Sequence, residues 1–341
     1  MSNTSGTIFR VTTFGESHGR AMGAVVDGCP AGIRLNEKDV KNYIKKNSCF
    51  FSFSTARREE NDIEILSGVY KGKTLGTPIS IITYNAAADS SKYLKLEGIA
   101  RPSHAEYAYY KKYGIYDPRG GGRASGRECV SRHMAAAVAD KILSYTAVKF
   151  SAELTELAGV RIRAKKDLAL AVKAAVKAGA EKDSTGGVFE ITITGVPAGL
   201  GAPVFDKLSS AIAAAVFSVG GVRAVEIGAG MRIARMKGSE ANDCMRYETD
   251  GSAGFGENNG GGISGGISTG APIVVRAYVK PTPSIYKKQT TVDFYKEKNC
   301  ELELEGRFDS NFTPRAMSAA VSTLKITLVD HLLQTPFLKI N

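Results

Sequence analysis

Residues 7–27 read TIFRVTTFGESHGRAMGAVVD. Thr7 to Phe14 alternates enough to predict a strand, and Ala21 to Asp27 predicts a second strand after a turn. Between them, Gly15-Glu16-Ser17-His18-Gly19 matches the G-x-S-x-G elbow of α/β-hydrolases. That elbow requires a strand, a sharp turn and then a helix. Here the turn leads into another strand, which ends at the Cys29-Pro30-Ala31-Gly32 turn. The hydrolase reading is therefore set aside, and a pair of strands opens the chain. Taken alone, the joining segment is a polar turn carrying a surface histidine.

Working outward, Asn36 caps a helix that runs through Lys46, and Ile63 to Tyr70 and Thr77 to Tyr84 predict strands flanking the Lys71-Gly72-Lys73 turn. Ser103-His104-Ala105-Glu106 has the form of a capping box, opening a helix that Gly114 ends. Ser125-Gly126-Arg127-Glu128 is a second such box, opening a longer helix to about Tyr145. Further helices are predicted over Asp167 to Lys177 and from an Asp206 cap to about Ser218, and Thr313-Pro314 starts one that reaches Leu333 before Pro336. Val188 to Thr194 and Pro272 to Val279 predict strands, Ala224 to Gly230 a short extended segment, and Asp250 to Gly270 a glycine-rich loop. Strands in antiparallel-looking pairs with helices between them, without steady βαβ alternation, indicate an α+β layered fold. With no linker, short-period repeat or low-complexity tail, residues 1–341 read as a single domain.

Hydrophobic residues make up 43% of the 341 and charged residues 23%, enough for a globular core without staples. No apolar run approaches the ~18 residues of a membrane span, and the N-terminus lacks the form of a signal peptide. Five cysteines, at 29, 49, 129, 244 and 300, form no C-x-x-C pair. That argues against a disulfide framework and a structural metal site, and fits the reducing cytoplasm. The formal charge of +11, with 37 glycines, favours anionic partners held by arginines and backbone amides. Trp is absent and no aromatic-basic repeat occurs, which turns the reading from nucleic acid toward phosphorylated metabolites.

Two glycine-rich stretches bear on that reading. Gly260 to Gly265 matches G-x-G-x-x-G, but a loop precedes it and a strand follows, the reverse of the dinucleotide fingerprint. A flexible surface loop and a loop that meets a ligand with its backbone both remain open. Asp117-Pro118-Arg119-Gly120-Gly121-Gly122-Arg123-Ala124-Ser125 is a glycine turn feeding a capped helix, which suits a phosphate cradle with arginines at its rim. His104, at the first helical position after Ser103, meets free amides and the helix dipole and is placed to exchange a proton. Of the four histidines, His133 and His331 fall within helices and read as structural.

FGESHG at 14–19, RPSHAEY at 101–107, YGIYDPRGGGRASGRE at 113–128, GGISTG at 265–270 and KPTPSI at 280–285 resemble chorismate synthases in sequence and order. The terminal GR-F-D, PRA and DHLL continue the resemblance over nearly the whole chain. It implies helices packed between two antiparallel β-sheets, assembled as a cytoplasmic homotetramer. It also implies the reaction: 1,4-elimination of phosphate from 5-enolpyruvylshikimate 3-phosphate, giving chorismate, with reduced FMN required although nothing is oxidised overall. By this resemblance His18 protonates the leaving phosphate, His104 protonates the reduced flavin, and Asp309 helps take a proton from it. Arg123, Ala124, Ser125, Gly220, Gly221, Gly265, Lys280, Pro281, Thr282, Pro283, Ser284 and Arg307 match flavin-contacting positions. Ser17, His18, Arg127 and Arg307 match substrate contacts. Two carboxylates and two phosphates in one pocket account for the surplus of arginine.

The chain departs from the family pattern twice. Where the family has a loop with two substrate-binding arginines, Lys46 and Ser52 stand in an ungapped comparison; Lys46 keeps the charge without the bidentate fork, and Arg57 and Arg58 lie close by in sequence. Where the family reads HDPC, this chain has Phe308-Asp309-Ser310-Asn311, which keeps the aspartate and places an aromatic against the flavin or a neighbouring loop. A homologue that binds flavin or phosphate without turnover is the alternative these departures leave, and a salt-sensitive nucleic-acid binder a more distant one. With little room for a built-in NADPH-dependent reductase, an external flavin reductant is expected.

Overall fold

A computed structural model of the chain describes residues 3–48, 51–53, 62–85, 90–247, 249, 251 and 253–335. The first two predicted strands pair antiparallel and seed a five-stranded sheet. Its strands are β1 (Thr4–Ser5), β2 (Arg10–Phe14), β3 (Ala21–Asp27), β4 (Ile63–Ile65) and β5 (Ile79–Tyr84), in the order β1-β2-β3-β5-β4. A second five-stranded sheet contains β6 (Lys149–Leu157), β7 (Val160–Arg161), β8 (Gly187–Thr194), β9 (Val222–Ile227) and β10 (Ile273–Val279), in the order β9-β10-β8-β6-β7. Every pairing within both sheets is antiparallel.

The main helices are α1 (Glu37–Lys46), α2 (Glu106–Tyr113), α3 (Cys129–Leu143), α4 (Lys165–Ala180), α5 (Leu208–Phe217) and α6 (Thr313–Leu333). Helix α3 packs on β2, β3 and β5, while α6 packs on β6 and β8, and the two helices pack on each other. The result is the layered α+β sandwich, helices between two antiparallel sheets. Sequence explains the middle layers: Ala135 to Ala139 of α3 and Ala316, Ala319 and Ala320 of α6 are all buried. A helix apolar on every side belongs in an interior, and small residues let two such helices approach closely. Helix α6 is long and apolar enough to cross a membrane, and 67% of its apolar window is buried inside this fold.

The outer face of the second sheet shows the opposite chemistry. In β10, Ile273, Val275, Ala277 and Val279 point inward, and Arg276 points outward between Glu190 and Glu226, its register partners on β8 and β9. Period-two alternation with a cross-strand charge triad fixes which face is wet.

Several local expectations are corrected. The strand expected from Thr7 begins at Arg10, as β2, because the amides of Thr7, Ile8 and Phe9 all donate to the Asp330 carboxylate instead of a ladder. The predicted Ile63–Tyr70 strand breaks into β4 and a short Val69–Tyr70 hairpin arm at Gly68, where φ is +79°. Ser103 caps nothing: α2 starts at Glu106, and the Glu106 carboxylate is taken by Arg101. Asp206 does not cap α5, which begins after Lys207 without a side-chain cap. Ser125 accepts from the Arg127 amide, but Glu128 turns to Thr13 and Arg132, so a 3-10 turn precedes α3. The 250–270 loop holds a small hairpin, Ile263–Ser264 with Ile267–Ser268.

Candidate active site

A cavity of about 1820 Å³ opens between the N-terminal segment, the Arg101–Gly126 segment, α5 with the turn after it, and the Lys280–Ser284 strap. It brings together His104, Arg123, Ala124, Ser125, Gly220, Gly221, Lys280, Pro281, Thr282, Pro283 and Ser284, residues expected to meet one ligand. Pockets for one small molecule are typically ~300–1,000 Å³, so this one has room for two ligands.

The His104 ring sits between two fixed partners. Its Nδ1 lies 3.0 Å from the Pro102 carbonyl oxygen and its Nε2 lies 2.9 Å from Ser284 Oγ. A carbonyl only accepts, so Nδ1 carries the hydrogen. Burial, then the positive charge of Arg101, pushes the imidazole pKa down to about 4. At neutral pH the ring is uncharged and Nε2 accepts from the Ser284 hydroxyl.

Arg123 reaches back to the first sheet, donating to Thr13 Oγ1 at 2.6 Å and to the Gly15 carbonyl at 3.3 Å. Glu128 lies 2.7 Å from Arg132 and 3.8 Å from Arg123, so these two arginines share one carboxylate. Lys280 donates to the Ser103 carbonyl at 3.0 Å. Its pKa is lowered, first by burial and then by the charge of Arg223. Among the described residues neither Lys280 nor Arg223 has a carboxylate partner, so this end of the cavity is an uncompensated cationic rim. Sequence reading passed over Arg223, which nothing in its local context distinguishes from a surface arginine. It also assigned no role to Arg101 and Glu106, although both stand inside the 101–107 motif; their buried ion pair forms part of the wall. His331, read as structural, borders the cavity as well.

Ser17, His18 and Arg127 line neither cavity wall; they gather behind the glycine turn. His18 Nδ1 is 3.0 Å from Ser90 Oγ, and its ring meets Tyr93 edge-on at 5.2 Å. Gly120, at φ +72°, closes over it: a Cβ there would come within 2.7 Å of His18 Cδ2. Only glycine lets the turn pass so near the imidazole. Asn85 ties the cluster together, donating to the Glu16 and Gly19 carbonyls and accepting from Arg127 Nε.

Asp309 lies in a smaller cavity of about 320 Å³, which Ser52, Phe53, Tyr286 and Phe308 also line, and pairs with Arg315 at 2.9 Å. Ser284 borders both cavities. Phe308 packs on a neighbouring loop, its ring 5.1 Å from that of Tyr286. Asn311 is 1% exposed and accepts from the Thr313 amide at the start of α6, so this departure supports the helix. Lys46, Gly265 and Arg307 line neither cavity. Lys46 is exposed in the last turn of α1, Gly265 sits at a hairpin tip beside the start of α5, and Arg307 is exposed. Arg57 and Arg58 fall outside the described residues.

The wall suits a flat polyanion. Thr282 Oγ1 is buried there without a hydrogen-bond partner among the described residues. At Gly220 a Cβ would meet nothing within 4 Å, so the backbone there faces open space.

The family model for chorismate synthase matches residues 9–333. The chain belongs to the chorismate synthase family. A chorismate synthase of Methanococcoides burtonii is 45% identical over 98% of this chain and 96% of its own length. One from Methanocella arvoryzae is 46% identical over 97% and 94%, and one from Methanocaldococcus jannaschii 42% over 99% and 98%. A crystal structure of a chorismate synthase superposes with a TM-score of 0.75 at 26% identity, covering 97% of this chain and 93% of that one.

Proposed function

We propose that this chain acts as a chorismate synthase, a carbon–oxygen lyase of the shikimate pathway that converts 5-enolpyruvylshikimate 3-phosphate to chorismate and phosphate. The observation that carries the reading is the main cavity, which collects the family's motifs from four separated segments around an uncompensated cationic rim.

Reduced FMN, when bound, supplies the electron-rich ring that the elimination requires. Gly220, Gly221, Arg123 to Ser125 and Lys280 to Ser284 would hold it. The Thr282 hydroxyl, partnerless among the described residues, and the exposed Gly220 backbone support that assignment. Lys280 and Arg223 hold anionic groups of the ligands through charge-assisted hydrogen bonds. His18, with Ser17 and Arg127 beside it, donates the proton that the leaving phosphate needs. His104 exchanges a proton at Nε2, and entering polyanions raise its pKa from about 4 by placing negative charge against a ring that now faces arginine and lysine. Asp309 acts from the smaller cavity across Ser284. Residues 1–341 work as one domain, supported by a buried cluster that runs from Phe9 to Leu332 through both sheets. A cytoplasmic homotetramer fed by an external flavin reductant completes the reading. Phe205, 90% exposed at the cavity rim, supports burial against another copy.

The test is an anaerobic assay with chemically reduced FMN that follows chorismate and phosphate together. Equal release of both is expected. Folded protein that binds FMN and releases neither would reverse the conclusion in favour of a binding-only homologue.

A further inference from the structure

Ser284 Oγ stands 2.9 Å from His104 Nε2, and Ser284 is the single residue that borders both the main cavity and the smaller cavity of Asp309 among the described residues. The two residues are 180 positions apart, and the strap that carries Ser284 is pinned on both sides. Lys280 donates its backbone N–H to the Gly221 carbonyl, and the Thr282 carbonyl accepts from Ser184 Oγ. Beyond Ser284, the Tyr286 N–H donates to the Lys182 carbonyl, so the place of the serine in the strap is set from both sides.

The Pro102 carbonyl can only accept, which puts the imidazole hydrogen on Nδ1 and turns the lone pair of Nε2 to Ser284. The serine hydroxyl spends its one hydrogen on that lone pair, and its oxygen keeps lone pairs for a donor in either cavity. Both ring nitrogens are thus taken by protein partners.

We propose that Ser284 is the positioning residue for His104: it locks the imidazole in the Nδ1–H form and carries protons between Nε2 and a ligand. In one direction a ligand N–H or O–H gives its proton to Ser284 Oγ while the Ser284 hydrogen passes to Nε2, leaving an imidazolium and a ligand one proton poorer. The reverse step returns the proton to the ligand. The serine is unchanged in both directions, and charge balances. This role rests on the reading of His104 as a proton-exchanging residue.

The test combines a spectroscopic and a kinetic readout. With four histidines in the chain, ¹⁵N-histidine spectra at pH 7 are simple, and His104→Gln identifies the His104 signals. Wild type is expected to show Nδ1–H, with an Nε2 signal at a hydrogen-bonded position. Ser284→Ala is expected to move that Nε2 signal while the other histidines stay in place. In turnover, Ser284→Ala should lower kcat about 10- to 100-fold, a loss that persists at saturating FMN. Ser284→Thr should restore most of the rate. In a His104→Ala background the serine change should cost nothing further. An unmoved Nε2 signal, an equal loss in both backgrounds, or a loss confined to FMN affinity would each overturn the proposal. Wild type that makes no chorismate would defeat the functional reading, while the spectra would still decide the Ser284–His104 contact.

Discussion

Arg101 and Glu106, each less than a tenth exposed, form an ion pair in the cavity wall, and Arg101 also donates to the Gly120 carbonyl at 3.2 Å. This pair explains why the 103–106 segment does not fold as a capping box: the carboxylate that would reach the Ser103 amide is held by a guanidinium. It also joins α2, which follows His104, to the glycine turn that covers His18. Removing one partner strands a buried charge. Arg101→Ala is expected to destabilise the fold by roughly 3–5 kcal/mol, read as a lower urea midpoint. Replacing both partners by methionine should recover much of that loss. A single variant as stable as wild type would show that the pair is solvated.

His18→Ala and His104→Ala should each slow turnover by about 10²- to 10⁴-fold, the usual range for removing a general acid or base. FMN binding should stay within a fewfold of wild type, since neither ring is the main charge facing the ligand. Single-turnover measurement with reduced FMN checks both, and near-normal rates in either variant would remove its assigned role.

Stability should fall on mild acidification. His133 is buried against Ser322, and its pKa is pushed down to about 4 by burial, then by Arg132; His104 stands at about 4 as well. Unfolded histidine titrates near 6.5, so between about pH 6.5 and 4 the unfolded chain binds protons that the folded chain refuses. The stabilisation is present above about pH 6.5 and is lost as pH falls toward 4, by up to roughly 3 kcal/mol for each histidine. Urea midpoints from pH 7.5 to 4.5 test this, and His133→Gln should flatten the slope. An unchanged slope would mean that His133 titrates normally in the folded protein.

Gly120→Ala places a methyl group at φ +72° and against His18. A cost of roughly 1–3 kcal/mol in stability is expected, together with a loss of turnover like that of His18→Ala. Full activity in this variant would show that the His18 ring is free to move aside.

Arg223→Gln removes half of the uncompensated cationic rim. Binding of FMN or substrate should weaken about tenfold, as for the loss of one charge-assisted hydrogen bond, with kcat little changed. Titration of both ligands separates which of them Arg223 holds; unchanged affinity for both would place it outside the site.

Much of the fold was legible from local chemistry. Asn36 caps α1 as expected, with Asp39 completing the box, and α6 runs from Thr313 to Leu333 as its Pro start and apolar length indicate. The failures share a cause. At Glu106 and Glu128 the carboxylate is claimed by an arginine five or four residues away, Arg101 or Arg132, and at Asp330 by amides more than 300 residues away. A capping pattern does not say which of two nearby partners a carboxylate takes, and for Asp330 the competing amides arrive only with tertiary contact. The departures at 308–311 were visible as substitutions, but their consequences required the packing of Phe308 on Tyr286 and the Asn311 bond to α6.

The sequence by itself determined the family and the inventory of the site, because motif order and residue chemistry are linear properties that survive without coordinates. It also determined the layers, since alternation and all-round apolar helices dictate what each element buries. Only the tertiary structure decided which of those residues share a cavity. It placed His104 with Ser284, set His18 behind Gly120, put Asp309 in a compartment of its own and left Lys46 outside. Proton positions, uncompensated charges and shared walls depend on distances of a few ångströms between segments far apart along the chain, and no local pattern encodes them.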